Sequence, residues 1–380
     1  MLTSVPYSLS IKPVSATCNL NCSYCYYLEN TAGCSTAMDL EILDTAIANH
    51  MASQPASARY IDFIWHGGEP LLRGRAFYLH AFEQQRRLAG GRQVINTFQT
   101  NGTLINHQWA SLFKEHDVMV GVSIDGPQLL NDIARIDRKG RSSFEKTLRG
   151  IALLNAHHVE FNTLTVINNR TYRHGAKIYR FLKEHGSGYM QFQPCIDHEL
   201  DRRSDYDWSL TGKQWGLFLC DVFDAWCEKD VGSVYIQFFE NCLMVLMGHA
   251  SQMCHHSEQC GQQLMMEADG HVFSCDHFGY ENHCLGNVHE SPIAQLVSSE
   301  QQRAFGESKK TLPDCCSQCD FLPLCHGGCP KNRTDKTSSG EALNALCDGY
   351  KQFFTYALPR LLKMVDAMQN GYSPKYHVLF

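Results

Sequence analysis

The stretch SLSIKPVSATCNLNCSYCYY, residues 8–27, determines how the rest of the chain is interpreted, because it joins a strand pattern to a cysteine motif. Its first residues, Ser8–Lys12, form a short β-rich run. Three cysteines then fall within eight residues on one loop, at Cys18, Cys22 and Cys25. Zinc sites usually close with four ligands. Three thiolates without a nearby fourth instead predict an iron–sulfur cluster with one open iron, a site suited to binding another molecule.

Beyond this loop, strand-like and helix-like segments alternate. The predicted strands after the first are Tyr60–Trp65, Val94–Gln99, Val118–Ile124, Glu160–Ile167 and Met190–Gln193. The predicted helices are Leu40–Met51, Ala76–Leu88, His107–Lys114, Phe144–His157 and Tyr172–Glu184, with a further helix at Lys213–Glu228. Each strand is followed by a crossover long enough to return parallel. Six such units predict an α/β fold with an incomplete parallel barrel, although the order of elements alone also fits an open doubly wound sheet.

Composition and charge exclude several classes of protein. The chain has 33 basic against 39 acidic residues, a net charge of −6, which argues against broad nucleic-acid binding. Its start has no secretory signal, and no run approaches the roughly 20 apolar residues that span a bilayer. We therefore expect a cytoplasmic protein with no membrane association. In a reducing cytosol, 18 cysteines indicate metal binding more than disulfides.

Most of the remaining cysteines lie in the last third of the chain. The spacing is Cys254-x5-Cys260-x14-Cys275, then Cys316-x2-Cys319-x5-Cys325-x3-Cys329-x17-Cys347. Eight cysteines suffice for two fully ligated clusters, and a pair of zinc ribbons is the alternative. A hairpin, Gln262–Glu267 and Val272–Cys275 around Asp269-Gly270, is predicted to carry part of this region. We predict a barrel domain at 1–230, a cysteine-rich domain at 231–350, and a C-terminal helix and tail at 351–380.

Polar motifs follow the other predicted strands at the point where each strand ends. His66-Gly67-Gly68-Glu69-Pro70 follows the second strand. In parallel α/β folds, functional residues collect at this edge of the sheet. The two glycines would let the backbone approach a ligand closely, and Glu69 could pair with a ligand ammonium. Gln99 ends the third strand, Ser123 the fourth, and Arg135 lies on the next loop.

The cysteine loop with its neighbouring tyrosines resembles the signature of the radical S-adenosylmethionine (SAM) superfamily, in which SAM chelates the open iron. The loop Gly-Gly-Glu-Pro resembles the one that contacts the methionine amino group of SAM in that superfamily. The resemblance implies that Cys18, Cys22 and Cys25 hold this cluster. It implies a partial (β/α)6 barrel. The residues it assigns to SAM binding are Tyr24, Gly67, Gly68, Glu69, Gln99, Ser123 and Arg135.

The C-terminal cysteines resemble the SPASM extension of radical SAM peptide-modifying enzymes, which carries two auxiliary [4Fe–4S] clusters. Three [4Fe–4S] clusters are therefore implied for the chain. The ligands carried over to the first auxiliary cluster are Cys254, Cys260, Cys275 and Cys329. Those carried over to the second are Cys316, Cys319, Cys325 and Cys347. The seven cysteines without an implied ligand role are expected to be small buried hydrophobic residues, and they are Cys34, Cys195, Cys220, Cys227, Cys242, Cys284 and Cys315.

Within the superfamily, the segments QTNGTLI, VSIDGP, QFQPCID, GHVFSCDHF and CHGGCPKNR resemble anaerobic sulfatase-maturating enzymes. The resemblance covers nearly the whole chain, to the helix around Tyr350–Leu362. It implies oxidation of a cysteine or serine of a sulfatase-type protein to Cα-formylglycine. It also implies that Asp276 is the catalytic base and that Tyr27 lies near the peptide substrate. His66 is a departure, because the family usually has glutamine there, close to SAM and the substrate.

This resemblance further implies a 5′-deoxyadenosyl radical made from SAM, an external one-electron reductant such as flavodoxin or ferredoxin, and a monomer acting on a protein or peptide. Two alternatives stay open. One is a SPASM maturase that cross-links or otherwise modifies a ribosomally made peptide. Such enzymes often carry a leader-binding domain, which we do not expect here because the first strand begins within about ten residues. The other is a non-catalytic iron–sulfur electron carrier, which leaves the Gly-Gly-Glu-Pro loop unexplained.

Overall fold

A computed structural model describes residues 3, 5–27, 37–197 and 207–379, and Cys34 lies outside them. The strands are β1 (Ser8–Ile11), β2 (Tyr60–Trp65), β3 (Gln93–Thr100), β4 (Met119–Ser123), β5 (Phe161–Ile167), β6 (Tyr189–Pro194), β7 (Tyr235–Ile236), β8 (Gln263–Met266), β9 (His271–Phe273), β10 (Cys284–Asn287), β11 (Asp335–Lys336) and β12 (Ala342–Leu343). The helices are α1 (Leu40–Ser53), α2 (Arg75–Leu88), α3 (His107–Glu115), α4 (Gln128–Asn131), α5 (Phe144–Ala156), α6 (Gly175–His185), α7 (Gly212–Cys227), α8 (Gln237–Leu246), α9 (Ile293–Val297), α10 (Glu300–Ser308), α11 (Asp314–Ser317), α12 (Leu322–Cys325) and α13 (Cys347–Gln369).

The chain forms two compact units. The first comprises the described residues of Met1–Ser123, Arg135–Phe161 and Cys260–Ser308. Its sheet has the order β10-β9-β8-β1-β2-β3-β4, with β1 to β4 parallel and β8 parallel to β1. β9 and β10 complete it in antiparallel fashion. The carboxyl ends of β1 to β4 therefore lie at one edge, where the loops that follow them can form a site.

Aromatic side chains fill the core of the first unit. Trp65 on β2 lies beside Ile11 on β1 and is fully buried. Its ring packs edge-on against Tyr78, with the centroids 5.3 Å apart, and tilted against Phe98 at 6.0 Å. Such contacts add to the burial of apolar area, so β1 to β3 form a rigid platform under their loops.

The second unit comprises Ile124–Ala134 and the described residues of Asn162–Gln259 and Lys309–Phe380. In it, β5, β6 and β7 pair in parallel. α7 begins with a capping box, in which Thr211 and Gln214 satisfy each other's backbone N–H groups. α7 approaches α13 very closely, because a Cβ on Gly349 would lie 2.0 Å from the carbonyl oxygen of Gly212. Glycine is therefore required where the two helices touch.

The predicted strands and helices agree well with the structure. Each end of the six predicted barrel strands differs from the observed end by at most one residue. The predicted helix at Tyr172–Glu184 is a 3-10 turn, Tyr172–His174, followed by α6. Among the cysteines without an implied ligand role, Cys195 and Cys242 are buried as predicted, Cys220, Cys227 and Cys284 are half-buried, and Cys315 is exposed. Across the described ranges, no helix is both long and apolar enough to cross a bilayer.

Candidate active site

The N-terminal cysteine loop follows β1 and is held by contacts from a distant turn. The Cys25 N–H donates to the Cys22 carbonyl at 3.0 Å, which closes a tight turn. Arg138 Nε donates to the Cys18 carbonyl at 2.8 Å. Burial raises the pKa of the Cys18 thiol to about 11, and the nearby Glu69 and Cys25 add to this rise. Cysteine ligates metal as the thiolate, so a cationic centre would stabilise the form that burial disfavours.

The glycines of the loop after β2 serve packing within the protein. The Gly68 N–H donates to the Ser15 carbonyl at 2.7 Å, and the Glu69 N–H donates to the Thr17 carbonyl at 2.9 Å. A Cβ on Gly68 would lie 2.2 Å from the Thr17 oxygen, and one on Gly67 would lie 2.9 Å from the Ser15 oxygen. The sequence predicted close approach to a ligand. The close approach found here is to the chain segment that leads into the cysteine loop, and any contact with SAM stays a prediction.

The Glu69 carboxylate is fully buried and accepts three hydrogen bonds. Its donors are the Leu71 N–H at 3.1 Å, the Thr100 hydroxyl at 2.8 Å and the Asn101 N–H at 2.8 Å. Burial nevertheless raises the pKa of Glu69 to about 7, against the lowering by these donors and by Arg135. A fixed carboxylate with this environment suits a cationic ligand group, because such a group would favour its charged form.

The other residues assigned to SAM form two hydrogen-bonded pairs. Gln99 Nε2 donates to the Ser123 hydroxyl at 3.0 Å, between neighbouring strands β3 and β4. Arg135 Nη1 donates to the Tyr24 hydroxyl at 2.7 Å. Arg135 also acts electrostatically on Glu69 and on Cys18, opposing the rise in the pKa of each. The structure thus brings Arg135 close to Tyr24, Glu69 and Cys18, and any contact of these residues with SAM stays a prediction.

Lys12, Tyr26 and His66 surround the carboxylate of Asp276. The Lys12 ammonium lies 2.6 Å from Asp276 Oδ1, and the Tyr26 hydroxyl donates to Oδ2 at 2.6 Å. His66 Nδ1 lies 4.0 Å from Oδ1. Tyr26 directly follows Cys25 and Asp276 directly follows Cys275, so one hydrogen bond joins two of the predicted cluster-binding loops. We call these four residues the Asp276 cluster.

The Asp276 cluster has a buried side and an open side. The Lys12 side chain is 0% exposed, whereas His66 is 25% and Asp276 19% exposed. Burial alone would raise the pKa of Asp276, but the Lys12 ammonium outweighs it and holds the pKa below the ordinary range. Burial lowers the pKa of His66, so its ring is neutral at pH 7. A substrate would therefore meet an ionised carboxylate beside a neutral imidazole.

Tyr27 has a different environment from Tyr26. It is buried, and its hydroxyl donates to Glu267 Oε1. Lys12 Nζ lies 3.4 Å from the centroid of its ring, a cation–π contact. The Lys12 ammonium therefore contacts both the Tyr27 ring and the Asp276 carboxylate, and the contact between Tyr27 and a substrate stays a prediction.

Sequence reasoning missed Lys12, Tyr26 and Glu267 as members of the site. Lys12 ends the predicted strand Ser8–Lys12, and a lysine at a strand end is usually a solvated surface charge. In the structure, the backbone N–H of Lys12 donates to the Met266 carbonyl at 2.9 Å, which continues the pairing of β1 with β8. The Lys12 side chain is buried beside Asp276, on the chain that follows the β8–β9 hairpin. Tyr26 could have been recognised from the sequence, because it directly follows the predicted cluster ligand Cys25.

The second unit has a cavity lined by cysteine. Its sulfur-bearing walls are Cys315, Cys316, Cys319, Cys325 and Cys347. Burial raises the pKa of Cys325 to about 12 and that of Cys316 to about 11, and neighbouring thiols add to both. Cys316 is buried while Cys315 is exposed. The four predicted ligands of the second auxiliary cluster thus lie around one cavity, and a cluster would be held there by Cys316, Cys319, Cys325 and Cys347.

The four cysteines carried over to the first auxiliary cluster belong to both units, and their grouping stays a prediction. Cys275 follows β9, and the Cys260 N–H donates to the Gly306 carbonyl at 3.5 Å. Cys254 begins a 3-10 turn. In the part of the chain that the structure describes, no three Cys, His, Asp or Glu side chains are arranged to hold a single metal ion. The thiolates of a four-iron cluster each bind a different iron, so their arrangement is wider than that around one ion.

Two family models match the chain. That of the radical SAM superfamily matches residues 13–182, and that of the SPASM iron–sulfur cluster-binding domain matches residues 254–320. These matches fall on the strands that carry the cysteine loop and on the cysteine-rich region, respectively.

The chain is similar to curated proteins and to solved structures over nearly their full length. The serine-type anaerobic sulfatase-maturating enzyme of Bacteroides thetaiotaomicron is 39% identical, over 97% of this chain and 94% of its own. The cysteine-type enzyme of Clostridium perfringens is 33% identical, over 95% of this chain and 99% of its own. The structure of native anSMEcpe with bound AdoMet and Cp18Cys peptide matches with a TM-score of 0.87 at 34% identity, covering 95% of this chain and 99% of that one.

Proposed function

The chain belongs to the anaerobic sulfatase-maturating enzymes of the radical SAM superfamily, and we propose that it oxidises a serine or cysteine of a sulfatase-type protein to Cα-formylglycine. The predicted fold class, a partial radical SAM barrel with a C-terminal SPASM domain, is confirmed by the family models and by the likeness to anSMEcpe. Relatives named for both targets cover nearly the whole chain, which supports either residue as the one oxidised.

The Asp276 cluster carries this proposal. When bound, SAM with its cluster supplies the 5′-deoxyadenosyl radical that removes a hydrogen atom from the substrate Cβ, and the auxiliary clusters supply an acceptor for the second electron. The proton that must also leave is taken by Asp276, which is ionised and partly exposed. Tyr26 and Lys12 hold both carboxylate oxygens, so the base keeps one orientation towards the substrate.

His66 completes the open side of the cluster. Its ring is neutral and its Nδ1 has no hydrogen-bond partner among the described residues. A neutral imidazole beside an ionised carboxylate can bind the hydroxyl or thiol of the substrate while Asp276 accepts its proton. We therefore propose that His66 binds the substrate.

The cofactors and partners follow from the same proposal. Family membership implies SAM and iron–sulfur clusters, and we propose three [4Fe–4S] clusters held by the eleven assigned cysteines. We further propose a cytoplasmic monomer that receives electrons from a flavodoxin or ferredoxin. Asp276 is the base, and the residues assigned to SAM are those around Glu69 and Arg135.

The test compares two peptides with the anaerobically reconstituted protein, one with a serine-type and one with a cysteine-type sulfatase motif (SxPxR and CxPxR). We expect the serine peptide to lose two hydrogens and give the aldehyde directly. The cysteine peptide should lose two hydrogens to give a thioaldehyde, which water hydrolyses to the same aldehyde with release of hydrogen sulfide. Asp276→Asn should keep SAM cleavage but reduce aldehyde formation by about 10²-fold or more, since the base is removed. Mass spectrometry measures the peptides, and 5′-deoxyadenosine measures cleavage.

Two outcomes would contradict the proposal. Vigorous SAM cleavage with no change in either peptide would favour a maturase that modifies another ribosomally made peptide. A protein without SAM cleavage, although its clusters are intact, would instead favour an electron carrier. Unchanged aldehyde formation by Asp276→Asn would remove Asp276 from the mechanism but leave the activity standing.

A further inference from the structure

Asn101 lies directly after β3 and touches the sulfur of a predicted cluster ligand. Its side chain is 6% exposed. Nδ2 lies 3.7 Å from Cys18 Sγ and 2.8 Å from Asn19 Oδ1. The Leu20 N–H also donates to Cys18 Sγ, at 3.4 Å. Cys18 thus has two N–H groups directed at its sulfur, one from the backbone of its own loop and one from a side chain on the loop after β3.

The orientation of the Asn101 amide is determined by its other partner. Its Oδ1 accepts from the Thr103 N–H at 3.0 Å and from the Thr103 hydroxyl at 2.7 Å. A backbone N–H can only donate, so the atom facing it must be the oxygen. The NH2 group therefore faces Cys18 and Asn19, and the contact with sulfur is that of a donor.

We propose that Asn101 is a positioning residue that tunes the reduction potential of the N-terminal cluster through its hydrogen bond to Cys18; this inference rests on the proposed SAM chemistry. Hydrogen bonds to ligand sulfurs are among the main determinants of the potential of such a cluster. Reduction adds negative charge to the cluster and its thiolates, and a donor stabilises the more negative state. The low exposure of Asn101 strengthens the effect, because little water screens it.

The same residue contacts the predicted SAM site through its backbone alone. The Asn101 N–H donates to Glu69 Oε2 at 2.8 Å, and its carbonyl accepts from the Thr147 hydroxyl at 3.0 Å. A substitution of the side chain leaves both contacts in place. Tuning of the cluster and binding of SAM can therefore be separated experimentally at this position.

The experiment uses the full-length, anaerobically reconstituted protein and the variants Asn101→Ala and Asn101→Asp. Alanine removes the donor, and aspartate keeps the shape but replaces the NH2 by an oxygen that cannot donate. Asn96→Ala is the matched control, because Asn96 is an equally buried amide on β3 whose described bonds go to Trp65 and Gln85. The potential is measured by titration with EPR detection, and the N-terminal cluster is identified by the change of its signal when SAM is added.

We expect both Asn101 variants to shift the midpoint potential to more negative values, with aspartate giving the larger shift. Asn96→Ala should not shift it, and KM for SAM should be unchanged in Asn96→Ala and in Asn101→Ala, which adds no charge and keeps the backbone bond to Glu69. An unshifted potential in Asn101→Ala with full iron content would overturn the proposal. Loss of the N-terminal cluster from both Asn101 variants would also overturn it, because Asn101 would then hold the loop instead of tuning it. Neither readout requires a sulfatase peptide, so failure here is distinct from failure of the proposed oxidation.

Discussion

Replacement of Lys12 by methionine removes the cation next to Asp276 while keeping a long apolar side chain. Lys12 Nζ lies 2.6 Å from Asp276 Oδ1, and the lysine is completely buried. At this distance, two unit charges attract by about 6 kcal/mol with an effective dielectric constant of about 20. Removal of one partner of a buried pair costs about 3–5 kcal/mol, because the other charge is left uncompensated.

The charge of Asp276 determines the consequence for catalysis. The folded pKa of Asp276 is depressed, so the pair stabilises the folded protein at neutral pH and loses that contribution only as the pH falls through the folded pKa. Without Lys12, the ammonium that opposes the effect of burial most strongly is lost, so the pKa of Asp276 rises. A larger fraction of the carboxyl is then protonated and cannot accept a proton. We expect aldehyde formation to fall by about 10²-fold at pH 7, the usual contribution of a general base.

The assay measures aldehyde and 5′-deoxyadenosine from the same reaction across a range of pH. In Lys12→Met, the ratio of aldehyde to 5′-deoxyadenosine should fall, and the deficit should narrow as the pH rises because the carboxyl regains its charge. Lys183→Met is the matched control, since Lys183 Nζ also lies 2.6 Å from a carboxylate, that of Asp230, in the second unit. An unchanged ratio and pH profile in Lys12→Met would refute the role assigned to the ion pair.

Two further predictions test the neighbouring contacts and the auxiliary site. Tyr26→Phe removes a hydrogen bond to an ionised carboxylate, worth about 1.5–3 kcal/mol, so aldehyde formation should fall by about tenfold or more while SAM cleavage persists. An equal fall in both products would instead place Tyr26 at the SAM site. Cys316→Ala should lose one cluster, about four iron atoms per chain, whereas Cys315→Ala should keep its iron, because Cys316 is buried and Cys315 exposed. Iron analysis with EPR measures both, and the reverse result would exchange the roles of the two cysteines.

The fold and the loops that carry the site could be predicted because their signals are local. The strands appear as short β-rich runs, and the motifs follow directly at their ends. The cysteine spacing of the loop at Cys18–Cys25 is a property of eight consecutive residues. The position of Glu69 on the loop after β2 could be predicted for the same reason, and its role in SAM binding stays a prediction.

The partners of Asp276 could not be predicted, because they are brought together by pairing between distant segments. Lys12 and Asp276 are 264 positions apart in the chain, and only the alignment of β1 with β8 makes them neighbours. A lysine at a strand end is otherwise expected in solvent. Likewise, the glycines before Glu69 suggested a ligand contact, and only the structure shows that Gly68 lies against Thr17.

The position of β1 between β2 and β8 has a consequence for how the chain folds during its synthesis. Ser8–Ile11 leaves the ribosome 255 residues ahead of its partner Gln263–Met266. Until then, one edge of β1 has unpaired N–H and C=O groups, and such an edge can pair with other chains. Asp276, the proposed base, reaches Lys12 only after the same strand has docked. A chain truncated before β8 would therefore lose more than the proposed auxiliary clusters, because its first strand would be left as an aggregation-prone edge.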